Sequence, residues 1–332
     1  MCDLDAAWEE FMTSGTIENL VDNKESKNLG TVAPDATEIY ISTKTRIVFL
    51  NNPVDLYECF WKINIMRYDT EDSGVIKKQI KIISNTPDEL SEVQAKLDMY
   101  PYYTQQVISH LDQHQGKSQV YKDVRKVSVG VCHKDLLSFR SKQKGAFYNC
   151  FVVIIRLLDE TKDEFKEVHA KIFNTGKVEI PGIQNEEMFN KTITFIEDMM
   201  TDITTDIHYK MMENKTETIL INSNFHCGFC INRQQLFEIL RADYNMNVSY
   251  DPCSYPGIQC KYHIEGYKVS FMIFRTGSVL IVGKCEDHII QKVYEKLKSI
   301  LSSEYSKIYE HYDIPVKPKE KTMKPRKKII YV

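Results

Sequence analysis

The feature that most constrains this chain is an internal repeat. Residues 172–182 read Ile-Phe-Asn-Thr-Gly-Lys-Val-Glu-Ile-Pro-Gly, and residues 273–283 read Ile-Phe-Arg-Thr-Gly-Ser-Val-Leu-Ile-Val-Gly, 101 positions later. Each stretch predicts a strand, a tight Thr-Gly turn and a second strand. Two copies are too few for a solenoid, so the repeat implies one chain made of two similar halves sharing a sheet. The repeat extends upstream at an offset of 180, where Leu56-Tyr57-Glu58 matches Leu236-Phe237-Glu238, Asn52 matches Asn232 and Ile41 matches Ile221. In each half an extended run (39–50, 219–229) precedes an amphipathic helical run (54–63, 233–240). A longer helix follows each hairpin. Phe189, Ile193, Ile196, Met200 and Ile203 recur at spacings of three and four, as do Ile290, Val293, Leu297 and Leu301. Glu186-Glu187 and Glu286-Asp287 fall in the first turns, where the helix dipole favours negative charge. The unequal offsets place about 79 extra residues in the first half, between its first helix and its hairpin.

This pattern resembles the TATA-box-binding protein family. Tyr250-Asp-Pro-Cys-Ser-Tyr-Pro-Gly257 is similar to the family's Tyr-Glu-Pro-Glu-Leu-Phe-Pro-Gly stirrup, and the 273–283 hairpin resembles its Ile-Phe-x-Ser-Gly-Lys-x-x-x-Thr-Gly. The resemblance covers 215–303 well, and 37–63 with 145–203 more loosely. Size, insertion and divergence look most similar to the TATA-binding-like proteins of large DNA viruses. The implied fold is α+β, a pseudo-twofold saddle of two repeats with one curved antiparallel sheet and helices on its convex face. The expected segments are a mobile tail (1–36), a first repeat (37–63 with 126–210), a charged, partly helical insertion (64–125), a second repeat (215–312) and a basic tail (313–332).

The resemblance also assigns roles. A sheet laid in the minor groove reads it by width and by the A·T acceptor pattern, while apolar wedges unstack flexible steps such as TA and bend the duplex. The wedge positions are Phe173 and Phe274 in the hairpins and Tyr255 in the second stirrup. The fourth lies among Phe147, Tyr148 and Phe151, with Phe151 favoured. Asn222 occupies the family's groove-reading Asn position, with Ser42 as its counterpart. Arg156, Lys261 and Lys177 match phosphate contacts; Ser278 replaces the last in the second half, where Arg275 is the compensating cation. Asp251, Cys253 and Ser254 fall where the family's stirrup meets the factor bridging to RNA polymerase.

Other positions depart from the family. Pro181 and Val282 replace a groove-facing Thr, and Glu179 falls where an apolar groove residue is expected. A carboxylate there is repelled by phosphate and costly to desolvate. Either the pairing slips by one residue, turning Glu179 to the other face, or the first half binds DNA poorly and serves proteins.

Charge and composition bound the alternatives. The chain carries −3 overall, and seven of its basic residues lie between Lys317 and Lys328, so the rest is acidic. A nucleic-acid face must therefore be a local patch, with the tail adding non-specific phosphate attraction or serving only as a solvated terminus or an import-like run. Nine cysteines without a framework of short spacings read as reduced thiols of an intracellular protein. Cys227-Gly-Phe-Cys230 has metal spacing, with His226, Cys253, Cys260 and His263 near it. A zinc site needs four converging ligands, and these read instead as core cysteines. Leu4, Trp8 and Phe11 read as a frayed tail or a short docking helix. No catalytic triad, phosphate loop or dinucleotide fingerprint is present, and no apolar run is long enough to span a bilayer.

The sequence thus predicts a non-enzymatic transcription initiation factor without cofactor, metal, membrane or small-molecule substrate. Its expected partners are double-stranded AT-rich promoter DNA, RNA polymerase and a bridging general transcription factor. The expected location is the nucleus, a cytoplasmic viral factory or the virion. The alternative keeps the fold as a protein-interaction scaffold with little specific DNA binding.

Overall fold

A computed structural model describes residues 32–115, 118–137, 147–160, 163–204, 206–213 and 215–311. Leu4, Trp8, Phe11 and the basic run from Lys317 to Lys328 lie outside them. The chain divides into two compact units, a larger one built on 41–222 with 282–286 and a smaller one on 32–40, 223–281 and 287–311.

The repeated Thr-Gly turns are built alike in both units. Gly176 and Gly277 have φ of +81° and +91°, a region open to glycine. Each N–H closes its turn onto a phenylalanine carbonyl, that of Phe173 or Phe274, at 3.0 Å. A Cβ at Gly176 would lie 2.6 Å from the Asn52 carbonyl oxygen, and one at Gly277 2.2 Å from that of Phe229. Each turn is thus pressed against the loop that follows the first strand of its repeat. Leu50 and Cys227 donate to the two glycine carbonyls, and Val54 and Ile231 donate to Asn174 and Arg275. Asp55 and Asn232 cap the helices that come next, accepting from the backbone N–H three residues on. These equivalent bonds relate the repeats at an offset of 177, from Asp55 to Asn232. The match at 180 read from side-chain identity is corrected by three residues.

In the larger unit, β1 (Tyr40–Phe49) leads to α1 (Leu56–Lys62), β2 (Gly74–Ser84), α2 (Pro87–Leu97), β3 (Tyr103–Gln115), β4 (Ser118–Gly130) and α3 (His133–Leu137). β5 (Cys150–Asp159), β6 (Glu164–Phe173), β7 (Lys177–Ile183) and α4 (Glu186–Asp202) complete it. The strands stand in the order β3-β4-β2-β5-β6-β7-β1, each antiparallel to its neighbours. Helices α1, α2 and α4 cover one face. Phe60, Val93, Leu97, Phe189, Ile196 and Met200 from the helices join Phe151, Val153, Ile155, Ile172, Val178 and Ile180 from the strands in one core. Most of the segment expected as a helical addition is therefore sheet: β2, β3 and most of β4 fall within 64–125, and α2 is its one helix among the described residues. Val75, Ile80, Ile82, Val127 and Val129 give these strands a buried side against which α2 packs.

The smaller unit repeats the pattern without the addition. β8 (Glu217–His226) leads to α5 (Arg233–Ala242), β9 (Asn247–Ser249), β10 (Ile258–Ile264), β11 (Tyr267–Ile273), β12 (Ser278–Gly283), α6 (Asp287–Ser303) and α7 (Tyr305–Ile308). Its strands run β8-β12-β11-β10-β9. Val269, Phe271, Ile273, Val279 and Ile281 are buried, as are Ile290, Val293, Leu297 and Leu301 of α6. Phe225 of β8 meets Tyr294 of α6 edge-on, with centroids 4.9 Å apart. Both units are antiparallel sheets with helices on one face, the α+β class expected. Among the described residues no helix is long and apolar enough to cross a membrane.

One lysine ties the added strands to the first repeat. Lys78 of β2 is 0% exposed, and its ammonium donates to the carbonyls of Phe60 and Ile63 at 2.7 Å and to the Tyr100 hydroxyl at 2.9 Å. The two carbonyls belong to the C-terminal end of α1, where a cation is favoured. The rings of Phe60 and Tyr100 lie 4.8 and 4.7 Å from Nζ. Burial nevertheless pushes the Lys78 ammonium down from 10.5 to about 7. The unfolded chain keeps this proton up to its ordinary value, so between about 7 and 10.5 unfolding takes up a proton and stability rises with pH. Below about 7 both states are charged and the burial penalty acts in full. Urea unfolding at pH 7 and pH 9.5 is expected to show the wild type more stable at the higher pH by a margin that Lys78→Met lacks; an equal pH dependence in the two proteins would refute the account.

Candidate nucleic-acid interface

Burying one face of an antiparallel sheet under helices leaves the alternate residues on the other. In the larger unit the register assigns these directly. Cys150 faces Phe173, and Val152 faces Lys171. Lys171 faces Glu179, and Ile47 and Phe49 face Glu179 and Lys177. Val178 and Ile180, on either side of Glu179, are both fully buried on the helix side. There is therefore no one-residue slip, and Glu179 lies on the open face. Its carboxylate accepts from the Lys171 ammonium at 2.6 Å. The acidic departure from the family is matched by a cation directly across the ladder.

The same registers locate the fourth aromatic. Phe151 pairs with Ile172, and Ile258 pairs with Ile273. Because Ile172 and Ile273 are equivalent in the repeat, Phe151 corresponds to Ile258 and Tyr148 to Tyr255. Phe151 is accordingly a core residue, 0% exposed, with its ring 6.4 Å from that of Phe60. This corrects the choice among the three aromatics, since Phe147 and Tyr148 are 56% and 58% exposed. Tyr148 carries the Lys81 ammonium 3.3 Å from its ring centroid. Phe173, half-buried, carries that of Lys177 at 4.3 Å.

The pair in the smaller unit is closed. Phe274 is 6% exposed, its centroid 6.0 Å from that of Tyr255. The Tyr255 hydroxyl donates to the Met272 sulfur at 3.5 Å, which gives the polar end of the ring a partner. A Cβ on Gly257 would lie 3.0 Å from the Phe274 ring and 3.1 Å from that of Tyr255, so the glycine makes room for both rings. Phe274 as placed is a covered ring, in contrast to the exposed wedge expected of it.

The polar residues divide likewise. Asn222 is half-buried on the open side of β8, between the buried Ile221 and Ser223, and its Oδ1 is buried without a hydrogen-bond partner. Such an orphaned oxygen is costly unless a donor reaches it. Ser42 donates to the Asn222 backbone carbonyl at 2.9 Å. With the offset at 177, the counterpart of Asn222 is Thr45, in the β1 bulge between Lys44 and Arg46, and not Ser42 as expected. Lys261 is exposed on β10 and Lys177 half-exposed on β7.

The two arginines are committed elsewhere. Arg156 is 8% exposed and donates to the carbonyls of Tyr68 and Thr70 at 2.7 and 3.0 Å, under the Tyr68 ring. Met66 and Tyr68 pack with Ile76, Cys132 and Ile154, covering the far end of β5, so Arg156 cannot serve a phosphate there as expected. Arg275 makes a two-pronged ion pair with Glu310 at 3.0 Å for each bond and does not replace the missing lysine at Ser278.

In the second stirrup Asp251, Cys253 and Ser254 are all exposed. The Asp251 carboxylate accepts from the Ser254 hydroxyl and from the Cys253 N–H. The Ser254 bond, followed by that from Cys253, holds its carboxyl below the usual range. Asp251 thus organises the loop. Cys227 is buried, its thiol donates to the Phe229 carbonyl at 3.3 Å, and burial pushes it up to about 11. Among the described residues no three His, Cys, Asp or Glu side chains gather as a metal site. Phe151→Ala is expected to cost about 3–5 kcal/mol in urea unfolding, and Tyr148→Ala less than about 0.5 kcal/mol. Equal costs would contradict the register equivalence.

Residues 221–303 match the family model "Transcription factor TFIID (or TATA-binding protein, TBP)". The chain is 26% identical over 200 residues to a TATA-box-binding protein-like protein of Acanthamoeba polyphaga mimivirus, covering 53% of this chain and 54% of that one. The chain therefore spans about half of this relative. It is 26% identical over 181 residues to the TATA-box-binding protein of Pyrobaculum calidifontis, covering 53% of this chain and 84% of that one. The solved structure of Methanococcus jannaschii TBP aligns with 80% of this chain and 99% of its own, at 15% identity and a TM-score of 0.42. From Ile221 in β8 to Ser303 at the end of α6 the chain is similar to the TATA-binding protein family, and over a longer span it is similar to a TATA-box-binding protein of Pyrobaculum and a TATA-box-binding protein-like protein of mimivirus.

Proposed function

We propose that this protein is a TATA-binding-protein-like transcription initiation factor. It binds AT-rich promoter DNA through the minor groove, bends it, and recruits RNA polymerase through a bridging general factor that contacts Asp251, Cys253 and Ser254. The observation that carries the reading is the aromatic pair at the hairpin end of the larger unit. Tyr148 is solvent-exposed and Phe173 partly so, on the open side of the sheet, with a lysine ammonium over each ring. The rings can enter base steps, and the lysines over them can meet backbone phosphates, which position a duplex without reading its sequence. Phe49 and Val152, both partly exposed, give the groove floor apolar contact, and A·T steps present acceptors with no amino group to obstruct it. Flexible TA steps yield to the wedge at least cost, the mechanism for which the TATA-binding family is itself the model case. The orphaned Asn222 amide oxygen sits on the open side of β8, and its amino group can donate to an A N3 or T O2 acceptor. Action in a nucleus or viral factory follows the mimiviral similarity.

The scaffold reading draws on other observations. Phe274 is covered, and Arg156 and Arg275 are spent on protein partners. In that reading the sheet docks polymerase and touches DNA little.

Fluorescence anisotropy on an AT-rich duplex with TA steps and on a GC-rich duplex, at two salt concentrations, separates the two. Preference for the AT-rich duplex is expected. Phe173→Ala and Tyr148→Ala are each expected to weaken that complex by about 1–3 kcal/mol, the range for losing one aromatic–base stack. Weak binding to both duplexes, abolished by salt and indifferent to Phe173, Tyr148 and Phe274, would favour the scaffold.

A further inference from the structure

The added strands continue the open face of the first repeat, and they continue it in lysine. β2 pairs with β5 such that Gln79 lies opposite Val152 and Ile80 opposite Phe151. Lys81, one residue further, therefore stands beside Cys150 on the open side. Across β4, Gln79 faces Ser128 and Lys81 faces Lys126, and Gln106 of β3 faces Lys126 in turn. One row of the open face thus runs Gln106, Lys126, Lys81, Cys150, Phe173, and the next runs Thr104, Ser128, Gln79, Val152, Lys171, Glu179, Ile47. Lys122 lies on the same side of β4 two pairs further along, exposed and opposite Leu111. Asp123, the acidic residue of this stretch, is turned to the helix side, where it binds Arg125 and His110. From Gln79 to Ile83 on β2 and from Lys122 to Ser128 on β4, no acidic side chain points to the open side.

The face is cationic across the ladder, where Lys81 stands directly opposite Lys126. The lysines also reach the exposed aromatic: Lys81 sits over Tyr148, and its hydrogen bond, followed by the charges of Lys81 and Lys122, holds the phenol below its ordinary value. The geometry points to a second nucleic-acid-binding surface built by the insertion, in which Lys81, Lys122 and Lys126 contact backbone phosphates of duplex DNA extending past the Tyr148–Phe173 pair. This rests on the DNA-binding reading above. It adds to it a footprint that the two repeats alone do not supply, on the side of the larger unit remote from β1. Sequence specificity stays with the aromatics and groove residues, because phosphate contacts position a duplex without reading it.

The test is the salt dependence of binding to an AT-rich duplex of about 30 base pairs, long enough to run past the groove site. Each lost phosphate contact lowers the slope of log K against log salt by about 0.9. The triple variant Lys81→Gln, Lys122→Gln, Lys126→Gln is expected to lower it by about 2 to 3 while keeping the AT-over-GC preference. Lys81→Gln alone is expected to lower it by about 1, which covers the case in which the triple variant melts early by circular dichroism. Lys96→Gln, on α2 where Lys96 lies over the Tyr57 and Trp61 rings on the helix side, is expected to leave the slope unchanged. A wild type that binds the duplex with a slope shared by the triple and single variants overturns the proposal and leaves the functional reading standing. A wild type that binds no duplex overturns both.

Discussion

Antiparallel pairing with helices on one side only is the constraint on which the rest of this structure depends. Once Ile172 and Ile273 are pinned in the core, the register of β5 on β6 and of β10 on β11 decides the direction of every other side chain on those strands. Phe151 goes in because Ile258 goes in, and Tyr148 and Phe173 stay on the open side. Glu179 cannot escape that side, because Val178 and Ile180 on either hand are buried. Lys171 across the ladder makes its place tenable.

The insertion obeys the same constraint. A further edge of sheet is stable only if its inner side is covered, and α2 covers it while Lys78 links β2 to the end of α1. A buried amine held by two carbonyls and a hydroxyl is a poor source of stability, but its removal leaves those acceptors unmet. Its effect is to position β2 against the first repeat. The outer side of the added strands then continues the open face, and at the far end of β5 Met66 and Tyr68 close it over. One insertion therefore extends one part of the candidate interface and withdraws another, taking Arg156 with it.

Much of this was legible in the chain itself. The Thr-Gly hairpins, the long helices after them and their buried stripes follow from period and turn chemistry, and α4 and α6 bury the residues their spacing picks out. The insertion was misread because Pro87 to Leu97 carries the strongest local signal, while β3 alternates polar residues on both sides near its tip. Edge strands of that kind have little periodicity to detect. The counterpart of Asn222 was misplaced because shared leucines and asparagines suggested an offset of 180, whereas the hydrogen bonds around Gly176 and Gly277 set it at 177.

Sequence by itself determined that two copies of one supersecondary unit exist, that each carries aromatics at its hairpin end, and that the chain resembles TATA-binding proteins. These rest on local backbone preference and residue identity, which a linear string contains. Only tertiary structure decided which aromatics are exposed, which cations are already paired and where the insertion lies. Exposure of Tyr148 over Phe151, the loss of Arg275 to Glu310 and the alignment of Lys81 with Phe173 across the sheet all depend on pairing between residues distant in the chain. No local preference encodes such pairing, because a shift of one residue reverses every face while leaving the sequence unchanged.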